Sequence, residues 1–186
     1  MRRAVVFMVL LACHRAWAPP PPLGAFPDFA LTDQTGKPVR ATDLRGKVWV
    51  ADFIFTRCAS VCPLLTEHMA HVEAATRELG DRVAFVSFSV DPDFDTPAVL
   101  TAYAAAHHAD LGRWRFLTGP IDAVAAGAKL ALERDPSKPP PQAILHGTHF
   151  LLVDAAGQLR GYTESDDPEA VAKLKSDLAA LVERPK

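Results

Sequence analysis

"KVWVADFIFTRCASVCP", residues 47–63, decides how the rest of the chain is read. Apart from Lys47 and Asp52, its first nine residues are apolar, and β-branched and aromatic types dominate. That is the composition of a short strand buried on both faces, the kind found in parallel sheets covered by helices. The end of the stretch changes character. Pro63 suits the first position of a helix, and Leu65, Met69, Val72, Thr76 and Leu79 then recur at helical spacing until Gly80. Cys58 and Cys62 fall between strand and helix, where ligands gather in such sheets and where helix N-termini point.

Outward from this stretch the alternation continues. "RVAFVSFSV" (82–90) reads as a second buried strand, ended by the turn-like "DPDFD" (91–95), and Thr96-Pro97 opens a helix through about His107. "RWRFLTG" (113–119) predicts a short strand and "IDAVAAGAKLALE" (121–133) a helix. "RDPSKPPPQ" (134–142) is a loop, because three consecutive prolines fit neither a central strand nor a helix interior. "THFLLVD" (148–154) and "QLRGYT" (158–163) form a strand pair around a turn, and residues 167–183 a closing amphipathic helix. Upstream, "FALTDQTGKPV" (29–39) predicts an extra hairpin. The order predicts an α/β fold, a central mixed sheet flanked by helices. It fits a thioredoxin-like fold with an N-terminal hairpin and an insertion before the last hairpin.

The N-terminus, "MRRAVVFMVLLAC", places two arginines before an apolar run from Ala4 to Ala12, the layout of an export signal. The run is about half of what a bilayer span needs. Leu10-Leu11-Ala12-Cys13 resembles a lipobox, while the competing Ala16-Trp17-Ala18 site would leave Pro19 at the new terminus. The expected organisation is a lipoprotein signal peptide at 1–12, a lipid-anchored proline-rich linker at 13–26, and one domain at 27–186. Cys13 then carries the lipid, and the domain sits on the periplasmic side of a bacterial membrane, an extracytoplasmic, oxidising place. Net charge is −2 for the whole chain and −4 without Arg2 and Arg3, with no basic stripe, so nothing suggests a nucleic-acid partner.

Cys58 and Cys62 are the thiols left to the folded part. Placed at the cap of a helix, Cys62 would have its thiolate favoured by backbone N–H groups and the dipole. One turn apart, the two sulfurs can join as a disulfide, exchange as a redox pair, or clasp an ion. Structural zinc wants four ligands, whereas Cu(I) accepts two or three sulfur or imidazole donors, so a metal reading calls for a third ligand. Of the seven histidines, His146 ends the proline loop just before a strand, and position alone leaves it either a ligand or a solvated loop residue. His68 and His71 flank an apolar helix stripe, His107 and His108 close a helix, and His149 lies within a strand. Asp91, Asp93 and Asp95 mimic the start of a calcium loop, but Thr96 stands where glycine is required and Ala102 where glutamate is. They shape a turn on the cysteine face, from which Asp91 can reach the site or a partner. Asp52, in the buried strand, reads either as a sheet-bound carboxylate or as a proton route for the thiols.

Together "DFIFTRCASVCP" (52–63), "FSVDPDFDTPAVLTAY" (88–103), "WRFLTG" (114–119) and "ILHGTHFLLVDAAGQLRGY" (144–162) resemble the Sco/SenC family of copper proteins that serve cytochrome c oxidase assembly. The resemblance runs in order from about Phe29 to the C-terminal helix. It implies a thioredoxin-like fold, copper held by Cys58, Cys62 and His146, and a copper-bearing oxidase subunit as partner, the copper donor being open. Two features depart from the common family pattern or keep a second reading open. Ala59 stands where many members have proline, with Arg57 ahead of the first cysteine. Asp52 has the spacing at which thioredoxins carry a buried carboxylate. Thioredoxin itself fits poorly, because the pair is C-x-x-x-C and no proline precedes "THFLLVD". A peroxiredoxin would need a cysteine where Ala59 stands. The function expected is a binding and transfer protein that metallates the dinuclear copper centre of the oxidase. The alternative is a membrane-anchored thiol–disulfide oxidoreductase that uses Cys58 and Cys62 to keep target cysteines reduced.

Overall fold

All seven residues of the strand read from "KVWVADFIF" are buried, and the strand lies in the middle of the sheet. The computed structural model describes residues 18–59, 61–138 and 142–183; the expected signal segment 1–12 and Cys13 lie outside them. Along the chain come strands β1 (Gly24–Ala25), β2 (Ala30–Asp33), β3 (Pro38–Arg40) and β4 (Val48–Ile54), then helix α1 (Val61–Ala75). Strand β5 (Val83–Ser89), helix α2 (Pro97–Ala106), strand β6 (Trp114–Thr118) and helix α3 (Asp122–Gly127) follow. Strands β7 (Leu132–Arg134), β8 (Ile144–His146), β9 (His149–Val153) and β10 (Gln158–Glu164) lead to helix α4 (Pro168–Glu183).

Eight strands form one mixed sheet in the order β1-β10-β9-β4-β5-β6-β2-β3. β4, β5 and β6 run parallel, and β9 closes antiparallel on the other side of β4. Two-residue alternation splits the strands between two cores. Trp49, Ala51 and Phe53 join Phe88, Leu151, Val153 and the α3 residues Val124 and Ala125. Val48, Val50 and Ile54 join Leu65, Met69 and Val72 of α1, Leu100 of α2, and Leu174 and Leu178 of α4. Asp52 shares the parity of this second set. The predicted N-terminal hairpin is present as β2 and β3. The folded unit also reaches ahead of Pro27: β1 pairs with β10, and the buried Phe26 ring stands 4.7 Å from that of Trp49 and 6.0 Å from that of Phe88.

The segment 121–133 departs from the single helix predicted for it. α3 stops at Gly127, whose Cα faces Pro27 so closely that an added Cβ would lie 2.5 Å from the ring. Lys129 then takes φ +55°, and the bonds Lys129 N–H to Ala126 O and Leu130 N–H to Ala125 O close a Schellman-type cap. The chain turns out as β7, which pairs antiparallel with β8 so that Leu132 faces His146 and Arg134 faces Ile144. β7 and β8 therefore make a two-stranded arm outside the main sheet.

Candidate functional site

The carboxyl ends of β4 and β5 deliver two loops to one rim of the sheet, and the arm delivers a third group. Beyond β4, Phe55 leads into the cysteine loop, where Cys58 is 9% exposed and Cys62 fully buried. α1 starts at Val61, so Cys62 is inside the first turn and not at its cap. Its N–H donates to Cys58 Sγ at 3.4 Å, which makes Cys58 the sulfur that meets the helix N-terminus. The cysteines are not bridged by a disulfide.

His146, 84 positions after Cys62, brings its Nε2 to 3.4 Å from Cys62 Sγ. Its Nδ1 lies 2.9 Å from the carbonyl of Gly147, and a carbonyl can only accept, so Nδ1 carries the hydrogen and Nε2 turns a lone pair toward the sulfur. The ring stands edge-on to Phe55 at 5.4 Å. Burial holds the imidazole below its ordinary pKa, the Gly147 carbonyl opposing only in part, and burial likewise pushes the Cys62 thiol well above its usual range. The site at rest is thus a neutral thiol against a neutral imidazole. Phe55, Cys58, Val61, Ile144, Leu145 and His146 line a cleft of about 490 Å³ that opens the site to solvent. Among the described residues no three Cys, His, Asp or Glu side chains are already arranged to hold a metal ion. The donor chemistry nonetheless suits a soft cation: two sulfurs one helical turn apart, and an imidazole with its lone pair facing them.

The family model for SCO1/SenC matches residues 21–183. The chain belongs to this family. Its structure is similar to that of a SCO1/SenC family lipoprotein from Bacillus anthracis, with TM-score 0.77 and 36% identity over 86% of this chain and 96% of that one. It is also similar to BsSco, a member of the Sco family of cytochrome c oxidase assembly proteins in which a disulfide switch has been identified, with TM-score 0.73 and 30% identity over 87% and 98% of the two chains. A third likeness is to Bradyrhizobium japonicum ScoI with copper bound, with TM-score 0.69 and 28% identity over 81% and 98%. The fold is the thioredoxin-like fold of these Sco proteins, as the order of elements predicts.

Around the sulfur and imidazole groups, this Sco/SenC chain places the other candidates unequally. Asp91 does not reach the cleft. Its carboxylate takes Arg57 Nε at 2.9 Å, and the guanidinium lies 4.3 Å from the ring centre of Phe94. Asp95, fully buried, accepts from Ser89 Oγ and from the N–H and hydroxyl of Thr56, and so ties the start of the cysteine loop to the β5–α2 turn. His149 turns away and pairs with Glu164 at 2.9 Å on the sheet surface. His71 is exposed on α1, and the His107 ring packs at a tilt against that of Tyr103 with centres 4.4 Å apart, both outside the cleft. Phe55 and the arm residues Ile144 and Leu145 carry no signal in the sequence beyond their place next to Cys58 and His146.

Asp52 lies within the second core, fully buried, and neither of its oxygens makes a hydrogen bond of normal geometry among the described residues. Burial pushes its carboxyl from 3.8 up to about 7. Folding therefore keeps a proton that the unfolded chain releases, and stability on this account is complete below the unfolded value and lost as pH rises through the folded one. Asp52→Asn should match the parent near pH 4 and exceed it by up to about 4 kcal/mol near pH 8. Urea unfolding of the reduced protein at the two pH values measures this. An equal difference at both would show that the carboxyl is ionised in the folded state.

Proposed function

We propose that this chain is a copper-binding chaperone of cytochrome c oxidase assembly, which holds copper at Cys58, Cys62 and His146 and passes it to the dinuclear copper centre of the oxidase. The observation that carries the reading is the 3.4 Å approach of His146 Nε2 to Cys62 Sγ, which joins residues far apart in sequence and points an unprotonated nitrogen at a sulfur. Copper, as cargo, supplies the positive charge that lets buried sulfurs ionise. The chain's own residues do the rest. Gly147 O fixes the imidazole ring, burial keeps it neutral and so able to donate, and the cysteine loop supplies Cys58 Sγ as the third donor. Because the Cys62 thiol is held protonated, loading releases its proton, and affinity rises with pH. The likeness to BsSco, of a family of oxidase assembly proteins, and to ScoI, which has copper bound, supports this assignment.

Asp52 favours a second reading on the same cysteines, that of a thiol–disulfide reductase for the target's cysteines. A buried carboxyl pushed to about 7 is poised to exchange protons near neutrality, and it lies close enough for its charge to weigh on the Cys62 thiol. The likeness to BsSco, with its disulfide switch, supports keeping this reading. Anchoring by a lipid on Cys13 places the domain outside the cytoplasm, and the similar Bacillus anthracis protein is a lipoprotein. No helix among the described residues is long and apolar enough to cross a membrane. Mass spectrometry of the mature protein should find a diacylglyceryl-modified Cys13 at its N-terminus. An unmodified chain beginning beyond Cys13 would exclude the anchor.

His146→Ala separates the two readings. It should lower Cu(I) affinity in competition titrations by roughly a hundredfold or more while Cys58 and Cys62 still form a disulfide at the parental rate. In host cells lacking the parental gene it should fail to restore oxidase activity at limiting copper. Full restoration by His146→Ala, together with a loss of function in Asp52→Asn, would favour the reductase.

A further inference from the structure

The β5–α2 turn fastens both halves of the site. On the cysteine side, Val90 N–H donates to the carbonyl of Ile54, the last residue of β4, at 2.8 Å. Thr56 and Arg57, the two residues before Cys58, are held by Asp95 and Asp91 of the same turn. On the histidine side, the carbonyl of Val90 accepts from Arg134 Nη2 at 2.9 Å, while Arg134 Nη1 donates to Asp122 Oδ1 at 2.7 Å. One fully buried residue, Val90, thus grips the strand that leads to the cysteines through its N–H and the arm that carries the histidine through its C=O.

The arm needs such a grip. β7 and β8 form a two-stranded sheet of their own, so no ladder of the main sheet fixes their position. Ile144 and Leu132 pack against the core and hold the arm down, but apolar burial is non-directional and does not set where along the rim the arm rests. A planar guanidinium with two hydrogen bonds does set it. Arg134 is also well placed to act on the histidine, since it faces Ile144 in the ladder in which Leu132 faces His146.

We infer that Arg134 is a positioning residue for the site: bridging Val90 and Asp122, it holds the β7–β8 arm where His146 meets Cys62. Its effect on copper rests on the reading proposed above; its effect on the arm does not. The test uses the reduced full chain and two readouts that need no metal. One is the nuclear Overhauser contact between the His146 and Phe55 rings, and the other is the alkylation rate of Cys62 relative to Cys58. Arg134→Gln should weaken the ring contact, speed Cys62 alkylation several-fold, and lower Cu(I) affinity by about 10- to 100-fold, with a cooperative unfolding transition retained. Arg134→Lys, which keeps the charge but not the fork, should show the same changes at smaller size and carries the test if Arg134→Gln does not fold. Asp122→Asn, which leaves the Val90 contact in place, should stay closer to the parent than either. Parental ring contact and alkylation rate in Arg134→Gln would overturn the inference. If Arg134→Gln loosens the arm while His146→Ala leaves Cu(I) affinity unchanged, Arg134 positions the arm and the copper reading is what fails.

Discussion

β4 has every side chain buried between two cores, and the place where that burial ends fixes the site. A strand of large apolar residues in mid-sheet gains on the order of 1.5–3 kcal/mol for each such side chain taken from water, so its register has little freedom to slip. Its last residue, Ile54, holds Val90 of the neighbouring strand's exit, and the cysteine loop begins immediately beyond. The pairing of β4 with β9 on its other side carries the chain back to Gly147 and His146 at the same rim. Cysteines and histidine meet because one central strand sets the height at which both loops leave the sheet.

The chemistry of the rim follows from the same burial. Three ionisable groups, Asp52, Cys62 and His146, are pushed by desolvation toward their neutral forms. A site built this way carries no standing cost for separated charges, yet it is ready for a cation, whose arrival makes ionised sulfur favourable where it was not. Charge that does persist nearby is paired away from the cleft: Asp91 with Arg57, Arg134 with Asp122, and farther off Arg113 with Glu73.

Much of this is legible in the sequence, and the limits have physical causes. The buried strands announce themselves through runs of apolar residues, α1, α2 and α4 through periodicity, and the cysteines through spacing, because those signals are local. The fate of 121–133 is not local. Gly127 yields to Pro27, a hundred positions earlier, and Lys129 adopts a left-handed conformation that a lysine does not advertise. The arm that results pairs β7 with β8 across the proline segment, which composition alone reads as a loop. The beginning of α1 at Val61, two residues before Pro63, moves the helix N–H onto Cys58, a shift that propensity does not resolve. His146 is found by its place before a strand, whereas its orientation depends on Gly147 O and Phe55, and the grip of Arg134 on Val90 is visible only once the chain is folded.

The proposed function requires the two sulfurs and the imidazole to form a single copper site. X-ray absorption of the reduced protein loaded with Cu(I) reads that shell. One copper per chain with two sulfur neighbours and one imidazole nitrogen is the expected result. Substoichiometric binding, or a sulfur-only shell that is unchanged when His146 is replaced, would contradict it.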